Sequence, residues 1–416
     1  MEPGDPLADA VLPVLDRRLL ADDERPLAVA LSGGGDSLAL TLLAAEWGKQ
    51  AGRPILVLTV DHGLQRQSAA WTQACAETAR RLGADFRALA WTGAKPGSGL
   101  AAAAREARHR LLADAARQAG ARVILMGHTA SDVAEAAAMR AAGSTTPAPR
   151  EWAPSPAWPE GRGLFVLRPM LSVTRAAIRD WLTARGETWI DDPANSDLAS
   201  ARVRARAADP PPDEPPGEPA LAPLAEACRF DAAGGVTFER ALLRGAEPAQ
   251  AATFLAMAAV CAGGGDRRPA SDRVERLRAI LAGGAVTATT LAGARIEADA
   301  EVVRIFREPG EAKRGGLPML YLTPGKPVVW DGRFELTAAR DGLRVDRLEG
   351  LMRKLPPDQQ AAVAALPAKA RGGLPAVTDG PLVVCPAVTQ VVGVECRSLV
   401  AERLLAACGL LEREPF

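Results

Sequence analysis

Between an apolar run and an amphipathic one the sequence reads Ser32-Gly33-Gly34-Gly35-Asp36-Ser37. A strand that runs into a glycine-rich turn and then a helix aims several backbone N–H groups, and the positive end of the helix dipole, at one small volume. Such a place suits a phosphate. The glycines let the backbone come close, and the hydroxyls of Ser32 and Ser37 add donors. No Gly-Lys-Ser/Thr follows, so this is not a Walker A loop, and the spacing is not that of a G-x-G-x-x-G dinucleotide site. A bare turn would not need serine, aspartate and serine at those places.

Two further groups carry charge. Asp132 and Glu135, in "MGHTASDVAEAAAMR", share one face if the segment is helical. They are either an ordinary solvated pair or, coming straight after the apolar "VILMGH", part of a site. Arg202, Arg204 and Arg206 alternate with small residues. In an extended segment they would present one face to phosphates, and on a helix they would be a solvated track. Trp152 and Trp158, in a proline-rich stretch, read either as packing residues or as platforms for a flipped base, and Trp181 reads as packing.

The elements that must position these residues follow from the apolar pattern. Leu27 to Leu31, Ile55 to Val60 and Val123 to Met126 are short runs of strand character. Between them, about Ser37 to Gln50, Ser68 to Leu82 and Leu100 to Ala119 have helical periodicity, so a doubly wound parallel sheet is expected. "LSVTRAAIRDWLTARG" reads as another helix, capped by Ser172 or Thr174 and stopped at Gly186. The proline-rich Asp209 to Pro223 continues neither a helix nor a central strand and marks a boundary. Beyond it, Leu221 to about Leu281 looks largely helical, and "TTLAGARIEADAEVVRIFRE" looks like a hairpin with Asp299 in its turn. The break "EPGEAKRGGLP" precedes a shorter β-rich tail that ends in a helix. The expected fold class is α/β: a doubly wound parallel sheet, then a helical domain and a small α+β carboxyl-terminal domain. The boundaries fall at 1–208, a linker at 209–223, then 224–308 and 309–416.

Length and composition agree with several domains. The chain has 416 residues, too many for one ordinary core. Lysine plus arginine equals aspartate plus glutamate at 50 each, so a polyanion must be met by a local basic patch. The six cysteines include no C-x-x-C pair, which argues against a zinc ribbon, an iron–sulfur site or a redox dithiol. The amino terminus is acidic where a secretory signal would be basic, and no apolar run approaches the ~20 residues of a membrane span. A cytoplasmic protein without membrane contact is expected.

Ser-Gly-Gly-x-Asp-Ser after a strand resembles the pyrophosphate-binding loop of the ATP pyrophosphatase, or PP-loop, superfamily, with an adenine nucleotide α-hydrolase-like fold. In the order "VDHGLQRQSAAW", "AAREARHRLL", "MGHTASDVAEAAAMR", "LRPMLSVTRAAIRDWL" and "WIDDPANSDLASARVRAR", the first half of the chain resembles the tRNA(Ile)-lysidine synthetase family; "WDGRF" extends the likeness weakly. The resemblance implies an ATP-dependent ligase. Such an enzyme adenylates the wobble cytidine of the isoleucine tRNA bearing a CAU anticodon, and the ε-amine of L-lysine then displaces AMP.

By the same resemblance Ser32, Gly33, Gly34, Gly35, Asp36, Ser37 and His62 bind ATP, and Asp36 faces Mg²⁺, since an anion beside triphosphate needs a cation between them. His128, Asp132 and Glu135 match the family's H-x-x-x-D-x-x-E pattern and seat lysine, with Asp36, Asp132 and Glu135 as the catalytic acids. Arg105, Arg140, Arg202, Arg204 and Arg206 are expected to hold the tRNA. Residues 1–208 would be the catalytic domain and 224–308 a tRNA-binding one; a homodimer is left open. Where family members commonly carry two adjacent aspartates and a glutamine, and a threonine after the glutamate, this chain has Ser131, Asp132, Val133 and Ala136. Against the ligase stand two rivals, a PP-loop tRNA thiolase and a catalytically idle RNA-binding module on the same fold.

Overall fold

The apolar runs lie side by side in a six-stranded sheet. Its strands are β1 (Leu27–Ala30), β2 (Ile55–Asp61), β3 (Asp85–Ala90), β4 (Val123–Leu125), β5 (Trp152–Pro154) and β6 (Phe165–Leu167), in the order β3-β2-β1-β4-β6-β5. All pairings are parallel except that of β5 with β6, which closes the edge antiparallel. The computed structural model describes residues 4–65, 67–142, 149–155, 163–191, 221–265 and 268–415. The chain divides into two units, one of Met1–Ala157, Leu164–Glu218 and Glu412–Phe416, the other of Trp158–Gly163 and Pro219–Leu411.

Among the described residues of the first unit six helices accompany the sheet: α1 (Pro6–Arg18), α2 (Gly35–Ala51), α3 (Ser68–Leu82), α4 (Leu100–Gln118), α5 (Ala130–Ala141) and α6 (Arg175–Ala184). From β1 the chain proceeds through β2 to β3 on one side, then returns to place β4 on the other side of β1. The loops leaving β1 and β4 therefore diverge, which is the switch point where open α/β sheets bind ligands. Leu56, Leu58, Leu112, Ile124 and Val166 form part of the core beneath it. Each such fully buried side chain contributes about 1.5–3 kcal/mol.

Helix α6 is capped by Thr174 rather than Ser172. Thr174 is extended (φ −80°, ψ 152°) and its side chain accepts from the Ala177 N–H, while Gly186 takes φ +67° just beyond the helix end. The helix is tethered by Trp181, whose Nε1 donates to the Asp5 carboxylate at 2.8 Å, and Asp5 in turn caps α1. At the other end of the chain Glu414 returns to this unit and pairs with Arg53 through two hydrogen bonds of 2.6 and 2.8 Å, both side chains fully buried.

The second unit opens with helices α7 (Ala222–Glu226), α8 (Arg240–Gly245), α9 (Pro248–Gly263) and α10 (Ser271–Gly283). They accompany a sheet of β7 (Arg229–Phe230), β8 (Val236–Glu239), β9 (Thr287–Leu291), β10 (Ala294–Ala298) and β11 (Val302–Arg307), ordered β7-β8-β11-β10-β9 and antiparallel throughout. The hairpin expected around Asp299 joins β10 to β11, with the Asp299 carboxylate accepting from the N–H groups of Glu301 and Val302. Strands β7 and β8 interrupt the stretch read as helical, because the Gly234-Gly235 turn and the inward Val236 and Phe238 make a hairpin too short to leave a periodic signature.

Two smaller antiparallel sheets follow. They are β12 (Leu320–Tyr321), β15 (Arg344–Arg347), β16 (Pro375–Thr378) and β17 (Val383–Val384), and β13 (Val328–Trp330), β14 (Phe334–Ala338) and β18 (Val394–Ser398). Helices α11 (Pro357–Ala364) and α12 (Val400–Ala407) complete the unit. Within "WDGRF", Asp331 adopts φ +48° and accepts from both Arg307 and Arg333, whose remaining donors end on carbonyls of Gly263, Gly293, Ala233 and Gly373. No helix among the described residues is long and apolar enough to cross a membrane.

Candidate active site

The glycine turn closes on itself through Ser37. Its Oγ donates to the Gly34 carbonyl at 2.9 Å, accepts from the Ser32 N–H at 3.1 Å and lies 3.0 Å from the Ser32 hydroxyl. Gly34 is the N-cap of α2, and a glycine has no side chain to take up the first-turn N–H groups. Those donors are left for a ligand. Gly33 adopts φ +86°, and a Cβ there would stand 2.4 Å from Ile190 Cδ1, so only glycine fits. Ile190 also donates its N–H to the Gly33 carbonyl at 2.9 Å.

The acidic residues meet beside this turn. The loop from β4 to α5 passes so near α2 that a Cβ on Gly127 would lie 3.0 Å from the backbone of Asp36 and Ser37. That approach brings Asp132 and Glu135, on α5, to the same place as Asp36, on α2. One guanidinium joins them: Arg175 reaches Asp36 with Nε at 3.0 Å, Asp132 with Nη2 at 3.2 Å and Glu135 with Nη1 at 2.7 Å. Asp132 is held a second time, because its Oδ2 accepts from the Thr129 N–H and hydroxyl in a capping box. Asp132 and Glu135 are buried, which disposes of the solvated-pair reading.

Burial is the main cause that raises the Asp36 pKa; the Arg175 guanidinium opposes it, and the Asp132 charge adds to the rise. For Arg175 burial acts downward, but Asp132, Glu135 and Asp36 outweigh it and hold its pKa above the ordinary value. Three carboxylates face one guanidinium, so the Arg175 charge alone does not balance them, a place that attracts a further cation. Among the described residues no group of three or more His, Cys, Asp or Glu is arranged to hold a metal ion by itself. Mg²⁺ is commonly held by one or two carboxylates together with substrate phosphates, so a lone Asp36 beside a phosphate cradle fits that ion's habits.

The histidines differ from the acids. His128 accepts at Nδ1 from Arg168 Nε at 3.2 Å, and Arg168 also donates to the Arg150 carbonyl. Burial lowers the Arg168 pKa to about 10, with Arg105 and Arg150 adding to the fall. His62, just past β2, is edge-on to Trp91 at 6.0 Å, and its Nδ1 is buried without a partner. Burial and then the Arg108 charge lower its pKa, with Asp61 opposing.

The expected tRNA contacts fare unevenly. Arg105 is exposed on α4, and Arg140, in the last turn of α5, keeps an unpartnered buried Nη1. Arg202, Arg204, Arg206 and Trp158 lie outside the described residues. Trp152 is a packing residue and no platform for a base, since it is buried and stacked on Phe165 at 4.7 Å with rings within 4° of parallel.

Arg175, Arg168, Gly127 and Ile190 were not singled out by the sequence. Arg175 did leave one signal: it is the first residue of α6, where the helix dipole disfavours a cation.

Sheet order, glycine turn and convergent acids define a nucleotide-binding α/β protein of the PP-loop class, and the model of the PP-loop domain matches residues 11–208. The tRNA(Ile)-lysidine synthase of Caulobacter vibrioides is 50% identical to this chain, over 98% of each. Its counterpart in Brucella anthropi is 34% identical over 75% of this chain and 74% of its own, and that of Hyphomonas neptunium 40% identical over 48% and 53%. The chain belongs to the tRNA(Ile)-lysidine synthase family.

Proposed function

We propose that this protein uses ATP to adenylate the 2-carbonyl oxygen of the wobble cytidine in the isoleucine tRNA with a CAU anticodon, and then joins the ε-amine of L-lysine to that carbon. Pyrophosphate leaves in the first step and AMP in the second. The observation that carries the reading is the placement of Asp36, Asp132 and Glu135 around Arg175, beside the open N–H groups of the glycine turn. Family membership supports tRNA(Ile) and ATP as substrates, and lysine is proposed with them.

In this reading the turn from Ser32 to Ser37 holds the phosphates, and Asp36 faces Mg²⁺. The ion, when bound, neutralises charge on the departing pyrophosphate. His62, whose Nδ1 is buried without a partner, is assigned to the adenine base. Asp132 and Glu135 seat the lysine ammonium. Its proton must leave before the amine attacks, and Glu135, the more buried acid at 1% exposure, is the acceptor. His128, just before the same helix, is assigned to the lysine site beside them. Arg105, Arg140, the Arg202–Arg206 track and the residues beyond 224 hold the tRNA in the cytoplasm.

The test is nucleoside analysis of isoleucine tRNA after incubation with the protein, ATP, Mg²⁺ and lysine. Lysidine should form only when all are present. Pyrophosphate release with no lysine-bearing nucleoside would point to another PP-loop chemistry.

A further inference from the structure

Three helices meet at one side chain. Asp36 comes from α2, Asp132 and Glu135 from α5, and Arg175 from α6, and each of the three guanidinium nitrogens takes a different carboxylate. We infer that Arg175 is a positioning residue that assembles the nucleotide-side acid and the amine-side acids into one constellation, so that both half-reactions depend on it. The inference rests on the assignment of Asp36 to Mg²⁺ and of Asp132 and Glu135 to lysine.

Like charges this near one another repel, and without a cation between them the carboxylates would turn apart or take up protons. Arg175 offsets one charge of the three, which still leaves attraction for an ammonium. A planar fork with donors in fixed directions can hold three acceptors at once, whereas the lysine point charge on a flexible stem cannot fix them in the same plane.

The helix that carries Arg175 is itself fixed. Thr174 caps it, Ile178 and Leu182 are buried, and Trp181 is bonded to Asp5. Leu182 Cδ1 also lies 3.4 Å from the place of a Cβ on Gly35, so α6 packs directly against the phosphate turn. A cation at the first position of a helix costs stability. Its place there is explained by the acids it faces.

The contrary reading makes Arg175 a stand-in that fills the lysine site until lysine displaces it. The two readings differ in sign. If Arg175 assembles the acids, Arg175→Gln weakens lysine binding to the full-length protein, followed by calorimetry, and raises the Mg²⁺ concentration needed for half-maximal pyrophosphate release. Losing charge-assisted hydrogen bonds of this kind corresponds to about 10- to 100-fold in each. Arg175→Lys should recover part of both, and it serves alone if R175Q does not fold. Unchanged or tighter lysine binding in R175Q, or in R175K when that variant serves alone, would overturn the inference.

Two companion variants test the underlying assignment in the same assays. Glu135→Gln should move only the lysine dependence and Asp36→Asn only the Mg²⁺ dependence. If neither moves, the assignment fails. If both move while the Arg175 variants do not, the assignment stands and the role of Arg175 falls.

Discussion

The two units each contain an arginine–carboxylate cluster, and the clusters have opposite balances. In the first unit one guanidinium faces three carboxylates, and Arg175 and Asp36 remain 20% and 25% exposed at the side chain. In the second, two guanidiniums share one carboxylate, with Arg307, Asp331 and Arg333 exposed by only 6%, 3% and 1%. There the unused donors end on backbone carbonyls, which ties the ends of α9, β11 and the "WDGRF" turn together. Arg240 is a second case of the same kind, fully buried, with donors on the carbonyls of Ile280, Leu281 and Ala285 at the end of α10. A cluster whose polar groups all end on protein is a joint. One that keeps an excess of charge and an opening to solvent is a place for a ligand.

The comparison breaks most visibly at Asp36. Asp36→Asn should lower pyrophosphate release by about 1,000-fold, as expected when charge stabilisation at a reacting phosphate is lost. Thermal stability should stay near that of the wild type, because the amide introduced by D36N would still face Arg175 and the variant removes one charge from a crowded set. A rate within a few-fold of wild type would reassign the residue. The matching variant in the joint is Asp331→Ala, which leaves two buried guanidiniums without their counter-ion. A cost of about 3–5 kcal/mol is expected, and a lowering of the midpoint on the order of 10 °C for a unit of this size. Pyrophosphate release by the protein that remains folded should be unchanged. Loss of catalysis without loss of stability in D331A would erase the distinction between joint and site.

Glu135→Gln has a smaller and more selective effect. The helix keeps its place, since Asp132 still caps Thr129, and the loss falls on the amine. The lysine concentration for half-maximal rate should rise by about 10- to 100-fold. Adenylated tRNA should then accumulate, because the second step slows more than the first. Chromatography of the quenched tRNA would reveal it. If pyrophosphate release stops instead and lysine dependence is untouched, Glu135 belongs to the nucleotide.

The parts of the site legible in the sequence are those written in short, local patterns. Ser32 to Ser37 reads as a phosphate turn because its glycines and serines are contiguous, and Asp132 and Glu135 read as one face because three residues are nearly a helical turn. The parallel sheet follows from apolar runs separated by helical periods. Arg175 does not read in this way. It is 139 residues from Asp36 and 40 from Glu135, and only the side-by-side placing of β1, β4 and β6 in the sheet brings those distances to hydrogen-bond length. Gly127 is hidden for the same reason, since nothing local announces that the backbone of α2 will pass 3.0 Å from its missing Cβ. Trp152 looked available for stacking because its neighbours in sequence are prolines, whereas its partner Phe165 is supplied by the adjacent strand.

A third arrangement, a buried polar group with neither a counter-ion nor carbonyl acceptors, sharpens the contrast at the smallest expected effect. His109, on α4, is 5% exposed, and both of its ring nitrogens lack a partner. Burial lowers its pKa to about 2, and the charges of Arg108, Arg105 and Arg168 and the ring of His128 push the same way. The folded protein therefore refuses a proton that the unfolded chain accepts below pH ~6.5. With the folded value depressed, the contribution to stability is complete above pH ~6.5 and is lost progressively as pH falls towards 2. At pH 5.5 the loss amounts to about 1.4 kcal/mol. His109→Leu removes the titration and also the two unpaired nitrogens, so at pH 7.5 it should cost little. Urea unfolding of both proteins at pH 7.5 and 5.5 measures the difference directly, and the variant should gain about 1.4 kcal/mol on the wild type between the two. An identical acid response in the two proteins would mean that His109 finds an acceptor when protonated, and would remove it from the uncompensated buried groups.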